Sequence, residues 1–321
     1  MGVGGRSSYS SSFFGVPVSL PSPSRHVLLL IAATACWGCG TVLSKQVLDR
    51  GVAPLTLLVL ELAASCCFLG LALVAGRVRP SWSAGTSRLA LLGLLNPGLA
   101  YALGMLGLLT ISASLAVLVW ATEPVAIMLL GVLVLREPIP RAVAAAVAVA
   151  LGGVVLVVFQ PGAAGSLLGV LLTTAAVLAC AGYTVLTRRL LLDDGSLWVV
   201  LLQQSAALGL ALLLAVASIG LGWAEVGLPP DAATWALAAG SGVVYYGLAF
   251  WCFVAGLRGV SAAVAGSVLP AIPVFGLLAG YLAGDELLSR QWGGAALVVL
   301  GTAAAVLVHV GHGRDPSPPK S

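Results

Sequence analysis

Charge is what this chain has least of. Only 8% of its 321 residues are Asp, Glu, Lys or Arg, while 60% are hydrophobic, a balance that no water-facing surface tolerates. Other absences narrow the chemistry. No Gly-rich loop ends in Lys-Ser or Lys-Thr, so nucleotide hydrolysis through a phosphate-cradling loop is excluded. The six cysteines, Cys36, Cys39, Cys66, Cys67, Cys180 and Cys252, lie within apolar runs, and Cys36 with Cys39 lacks the second ligand pair that a zinc framework needs. His309 and His312 have nothing to join them, so neither a metal nor a cofactor is expected. No basic stripe interleaved with aromatics appears, which argues against a nucleic-acid partner. An intramembrane enzyme would need a paired catalytic set at mid-run, such as two aspartates or a Ser with a His. None occurs, and the chain is read as a non-enzyme.

What is present, from Val27 to Val310, is Leu, Val, Ala and Gly broken by short knots of Arg, Asp, Pro or Gly. Crossing a hydrocarbon layer of ~30 Å takes about 20 apolar residues, and only helices satisfy their own backbone there. Hydropathy against the breaks predicts ten spans, centred near Thr34, Leu62, Gly98, Glu123, Leu151, Leu178, Leu208, Val244, Leu269 and Val299. The basic residues sort across that count. Arg6, Arg25, Arg77, Arg79, Arg88, Arg136, Arg141, Arg188, Arg189, Arg258, Arg314 and Lys320 fall on one side, and Lys45, Arg50 and Arg290 on the other. Cytoplasmic loops collect Lys and Arg, which predicts a multi-pass protein of the cell membrane with both termini cytoplasmic. The net charge of +4 then reports orientation. Residues 1–24, with the Ser7 to Ser12 run, and 311–321 are compositionally disordered tails.

An internal duplication divides the rest. Thr41-Val42-Leu43-Ser44-Lys45 matches Thr184-Val185-Leu186-Thr187-Arg188, and at the same offset Glu61-Leu62-Ala63-Ala64 matches Gln204-Ser205-Ala206-Ala207. Further on, Gly98-Leu99-Ala100-Tyr101 matches Gly247-Leu248-Ala249-Phe250. The register then continues without a gap through Pro124 with Pro273, Glu137 with Glu286, Arg141 with Arg290 and Gly152 with Gly301. The repeats occupy 25–160 (helices 1–5) and 167–310 (helices 6–10). Five spans is an odd number, so the second copy enters the bilayer from the opposite side. The expected fold is all-α and integral to the membrane, ten transmembrane helices in two inverted five-helix repeats. Such repeats are a transporter architecture with the substrate near the midplane.

Trp37-Gly38 early in the first span, the Glu123-Pro124 helix ending in Arg136-Glu137-Pro138, and its partner from Pro270 and Pro273 to Asp285-Glu286-Leu287 resemble the EamA-type carriers of the drug/metabolite transporter superfamily. The resemblance covers nearly the whole chain. It implies a ten-helix carrier driven by a proton or another gradient, commonly an exporter of amino acids or related small metabolites. One departure stands out: many relatives place a basic residue in the second helix, where this chain has Glu61.

Ionisable groups within the hydrocarbon cost roughly 2.5–3.5 kcal/mol at a helix centre and are functional candidates by default. Glu123 and Glu61 are the two clear cases, and their repeat counterparts are Ile272 and Gln204, so the carboxylates belong to one half only. Each is a candidate to bind the cationic part of a substrate or to carry a coupling proton, since hydrocarbon disfavours the ionised form. The alternative role is a structural hydrogen bond to a neighbouring helix. Pro97, Pro124, Pro270 and Pro273 free backbone carbonyls at mid-depth and either frame the site or merely kink the spans. Trp37, Tyr101, Trp120, Tyr183, Tyr245, Tyr246 and Trp251 are candidate cavity walls, with Gln204 beside them. Trp120 precedes Glu123 by one helical turn, so an ammonium held by the carboxylate could also lie on the indole. Gly276, Gly280 and Gly284 permit close helix approach. Asp285, Glu286 and Arg290, with Arg136, Glu137 and Arg141, read as interface anchors or gate-side ion pairs. The reading is a secondary transporter of a small zwitterionic or cationic compound. A channel or an intramembrane enzyme using the same cavity is the alternative.

Overall fold

The computed structural model describes residues 22–77, 82, 84–111, 113–158, 166–191, 195–222, 226–283 and 288–312. Most of both expected tails, with Arg79, Gly284, Asp285 and Glu286, lies outside the described residues, as do the side chains of His309 and His312.

The described chain is helical. Helices α1 (Ser22–Leu48) and α2 (Pro54–Ala75) are followed by α3 (Ala84–Gly93), which runs through a π-helical turn at Leu94–Leu99 into α4 (Ala100–Leu108). Then come α5 (Ala113–Trp120), α6 (Glu123–Leu130) with a π turn at Gly131–Leu135, and α7 (Arg141–Val158). The second half has α8 (Leu167–Leu190), α9 (Ser196–Gly220) and α10 (Ala232–Gly242). The latter continues through a π turn at Val243–Leu248 into α11 (Ala249–Leu257). The chain closes with α12 (Ala262–Val268), a 3₁₀ turn at Leu269–Ala271, α13 (Ile272–Leu282) and α14 (Ser289–His312). Among the described residues, seven helical stretches are long and apolar enough to cross a membrane: Arg25–Leu48, Pro54–Ala75, Leu167–Leu190, Ser196–Gly220, Ala232–Leu257, Ala262–Leu282 and Ser289–Val308. Glu123–Leu135 and Arg141–Val157 are apolar but shorter.

The breaks recur in register. The π turns at Leu94–Leu99 and Val243–Leu248 stand at repeat-equivalent positions, and so do the starts of α6 at Glu123 and α13 at Ile272, each one residue before a proline. Proline within the first turn of a helix loses no hydrogen bond, because that N–H has no intrahelical partner. Asn96, just before Pro97, takes extended φ/ψ of −147° and 123°, as a residue preceding proline prefers. Its counterpart Tyr245 sits in a π turn with no proline and no extended residue, so the π turn recurs in both halves while the extended break belongs to the Asn96-Pro97 pair.

Glycine sets how closely the helices approach. A Cβ at Gly93 would fall 1.9 Å from Gln203 O, and one at its counterpart Gly242 would fall 2.4 Å from Glu61 O. Along α7 and α14, Gly153 meets Gly294 and Val298, Gly294 meets Val157, and Gly301 meets Ala146 and Ala150. Rising numbers on one helix meet falling numbers on the other, so these equivalent helices run antiparallel. Gly276 packs on Gly38, as expected of it. The main core joins α1, α2, α8, α9, α11 and α12 around Leu30, Leu62, Tyr183, Val199, Phe250 and Val264.

Candidate functional site

A cavity of about 710 Å³ lies between the two halves, lined by α1, α4, α5, α6 and α7 of the first and by α8, α11, α13 and their turns of the second. Its wall is assembled from repeat-equivalent pairs. Trp37 and Cys180, Thr41 and Thr184, Asn96 and Tyr245, Tyr101 and Phe250, Gly104 and Phe253, Trp120 and Leu269, Glu123 and Ile272, and Pro124 and Pro273 all line it. A cavity centred on the relation between the halves presents both members of each pair to one space. Its shape is duplicated while its chemistry is not.

The aromatic wall is a connected set. Trp37 meets Phe250 edge-on at 5.3 Å and Phe253 at 5.2 Å, geometries that the ring quadrupoles favour. Tyr101 donates its hydroxyl to that of Tyr245 at 3.0 Å, and Thr41 donates to Trp37 O at 2.8 Å. Trp120 lies against Gly104, where a Cβ would sit 3.3 Å from the indole. The single continuous helix expected to carry both Trp120 and Glu123 is interrupted: α5 stops at Trp120 and α6 starts at Glu123, with Ala121 and Thr122 forming the turn. Both side chains nevertheless line the same cavity.

Glu123 is partly buried, and among the described residues no hydrogen bond or ion pair reaches its carboxylate. Asn96 adds an amide oxygen, buried and without a partner. The cavity lining thus holds a carboxylate with no hydrogen-bond partner among the described residues, in a wall that is mostly apolar and aromatic, with Thr41, Thr184 and Lys45 as its other polar members.

The two carboxylates differ. Glu61 is only 4% exposed, is not on the cavity wall, and accepts hydrogen bonds from Ser44 Oγ at 2.5 Å and Ser241 Oγ at 2.7 Å. Tyr183, Gln204, Tyr246, Trp251 and Pro97 also stand off the wall. Tyr183 is fully buried and donates to Gln203 Oε1 at 2.9 Å, while Gln204 Nε2 donates to Tyr246 O at 3.2 Å. Tyr183 and Gln204 thus spend a donor each within the helix packing. Of the expected prolines, Pro124, Pro270 and Pro273 line it.

Sequence reasoning missed Asn96, Thr41, Thr184 and Lys45 as cavity residues. For the threonines the signal was present: both open the matched Thr-Val-Leu strings. The ends of the cavity are unlike. It extends to Lys45 at the C-terminus of α1, whose exposed ammonium pairs with Asp49 at 2.5 Å. Arg188, the counterpart of Lys45, is not on the wall. It lies 4.0 Å from Glu137 Oε1, beyond hydrogen-bond range, while Glu137 Oε2 accepts from Ala262 N at 2.8 Å. Glu137 thereby ties the end of one helix to the N-terminus of α12, where a carboxylate complements the helix dipole. Near the same end His26 Nδ1 donates to Ala255 O at 3.1 Å.

The EamA-like transporter family matches the chain twice, over residues 24–159 and 167–307. No curated protein matches it significantly. A solved structure titled only as the crystal structure of a protein is similar with a TM-score of 0.75 over 88% of this chain and 98% of its own. It is 22% identical, which speaks to the fold alone. With two copies of the domain spanning most of its length, the chain is a multi-pass membrane protein that belongs to the EamA-like transporter family.

Proposed function

We propose that the protein is a secondary active exporter of a small zwitterionic or cationic metabolite, an amino acid or a related amine. It binds its substrate at Glu123 and moves it by alternating access driven by a proton gradient. In this reading the broken helices join into ten crossings: α3 with α4, α5 with α6, α10 with α11, and α12 with α13 each make one. The halves are inverted. The antiparallel course of α7 and α14 supports that inversion, and so does a wall built from equivalent pairs. Both termini are cytoplasmic in a plasma-membrane protein. The open end, at Lys45, is then the translocated face, from which an exporter releases its load, and the Glu137 end is the closed cytoplasmic side.

The observation that carries this reading is the Glu123 carboxylate, without a hydrogen-bond partner among the described residues, on the wall of a 710 Å³ cavity between the halves. An ammonium placed there gains a charge-assisted hydrogen bond, worth about 1.5–3 kcal/mol, and the indoles of Trp37 and Trp120 supply faces for its cation or its apolar body. The test is a thermal-shift screen of purified protein against amino acids, polyamines and quaternary amines. Ligands of the site raise the melting temperature by mass action, and the shift disappears in Glu123→Gln. Transport of the stabilising compound into proteoliposomes must saturate and show counterflow, which a channel does not. A stabilising cation that binds Glu123→Gln equally well removes Glu123 from the site.

A further inference from the structure

We propose that Glu61, with Ser44 and Ser241, is the site of the coupling proton, separate from the substrate cavity; this rests on the transporter reading above. The argument starts from counting protons on one hydroxyl. Ser241 Oγ lies 2.7 Å from Glu61 Oε1 and 2.9 Å from Ala238 O. A serine hydroxyl has a single hydrogen, and a carbonyl oxygen only accepts. Ser241 therefore serves one of these two oxygens at a time. When Glu61 is ionised, Ser241 and Ser44 both donate to the carboxylate. When Glu61 takes a proton from water, the new O–H at Oε1 donates to Ser241 Oγ, and the hydroxyl turns to donate to Ala238 O. One O–H bond of a hydronium ion breaks and one forms on Glu61, a water molecule leaves, and one hydroxyl rotates. Each protonation state has a satisfied set of hydrogen bonds.

The surroundings suit a titrating group. The ionisable groups facing Glu61 are the phenols of Tyr245 and Tyr246 in the turn after α10. From α1 and α10 the groups are the two serines, and no charged side chain among the described residues faces it. Gln204 of α9 is neutral and bonds Tyr246 O. Lys45, adjacent to Ser44, is engaged by Asp49. The repeat counterpart of Glu61 is Gln204, an amide with no proton to exchange, so the device exists once per chain. It is also mechanically placed. Ser44 belongs to α1, which carries Trp37, Thr41 and Lys45 of the cavity wall, and Ser241 belongs to α10, which leads into Tyr245. The charge on Glu61 thus sets how firmly α2 holds the two elements that shape the cavity.

Two readouts test the proposal. Infrared pH titration of the protein in detergent follows the carboxylic-acid C=O band and needs no ligand. One component of that band, growing as pH falls, is expected in the wild type and in Glu123→Gln, is missing from Glu61→Gln, and titrates at a shifted pH in Ser241→Ala, which keeps the carboxylate and serves if Glu61→Gln does not fold. In proteoliposomes, with lysine, spermidine and tetraethylammonium as probes, Glu61→Gln loses accumulation driven by a pH gradient, while counterflow persists without pH dependence. A titrating band unchanged by Glu61→Gln and by Ser241→Ala overturns the proposal. Gradient-driven accumulation that survives Glu61→Gln also overturns it and leaves the transporter reading intact. Absence of counterflow for every probe in the wild type counts against transport itself, and the infrared titration then decides the proton site alone.

Discussion

Glu123 and Ile272 occupy equivalent places in two helices that begin alike, each one residue before a proline, yet one brings a carboxylate to the cavity and the other a branched alkyl group. The same split runs around the wall. Asn96 stands opposite its counterpart Tyr245 in kind, and Trp120 opposite Leu269. Where the halves pack on each other they have stayed alike, as in Gly93 on Gln203 and Gly242 on Glu61. Duplicated packing and diverged lining teach that the scaffold needs both copies to match, while a ligand of low symmetry needs them to differ. The sharpest test of that division is a paired substitution. Glu123→Gln removes the charged acceptor and weakens binding of the cationic ligand by at least about tenfold, taking 1.5–3 kcal/mol for a hydrogen bond to a charged group. Ile272→Val changes it by about two- to tenfold, since a lost methyl costs about 0.5–1.5 kcal/mol, and it leaves the preference for a cation over a neutral analogue in place. Isothermal titration in detergent measures both, and equal losses would break the asymmetry.

The packing half of the comparison predicts the next largest effect. Gly93→Ala and Gly242→Ala each force a backbone apart, because the added carbon would lie 1.9 Å from Gln203 O or 2.4 Å from Glu61 O. Overpacking of this kind costs about 1–3 kcal/mol. Both variants should melt several degrees lower in detergent, and by similar amounts. Gly152→Ala and Gly293→Ala, with nothing within 4 Å of the added carbon, should leave the melting temperature in place. A large difference between Gly93→Ala and Gly242→Ala would mean that the halves are not equivalent scaffolds.

These cases also mark where sequence stops being legible. The repeat was readable because Thr, Pro, Glu and Arg recur at fixed spacing against a background of Ala and Leu, and the family match over 24–159 and 167–307 follows the same two blocks. The packing glycines were not, because 40 glycines give no hint which of them meets a backbone. Glu61 and Glu123 look identical as lone acids in apolar runs. Only the arrangement of Ser44 and Ser241, one from a neighbouring span and one from the far repeat, separates the enclosed carboxylate from the one facing the cavity. The turn at Val243–Leu248 left no trace, since no proline accompanies it. Tyr183, Gln204 and Tyr246 were drawn toward the site by their polarity, but a polar group inside a membrane protein needs a partner wherever it lies, and Tyr183 and Gln204 donate within the helix packing.

The two ends of the cavity extend the comparison to a smaller effect. Glu137, at the end proposed above as closed, accepts from Ala262 N and faces Arg188, while Lys45 at the other end pairs with Asp49. Glu137→Gln removes the charge from the α12 N-terminus and from the long ion pair. Loss of such a helix-terminal charge is worth about 1 kcal/mol, or roughly fivefold in the balance between closed and open ends. In a cysteine-free background, Thr184→Cys should react about fivefold faster with an impermeant maleimide applied from the Glu137 side. Unchanged labelling would mean that the closed end is held by apolar packing alone.

The smallest effect lies outside the spans, where α10 begins. Asp231 Oδ1 accepts from Thr234 N at 2.8 Å and from Thr234 Oγ1 at 3.0 Å, and Arg50 donates to Thr234 Oγ1 at 3.2 Å. The Thr234 backbone hydrogen bond first, then its hydroxyl, holds the Asp231 carboxyl below the ordinary carboxylate range, with Arg50 adding to this. A carboxyl depressed in the folded state stabilises the fold above its unfolded pKa, and that contribution fades as pH falls toward the depressed value. Asp231→Ala should therefore lower the melting temperature at neutral pH by less than about 3 °C, with the gap to wild type narrowing once the pH drops below the ordinary range for Asp. The first half has no carboxylate at the matching position, where the repeat counterpart of Asp231 is Trp82. The narrowing is thus a property of the second repeat alone, and a gap that stays constant with pH would assign the cap to shape and not to charge.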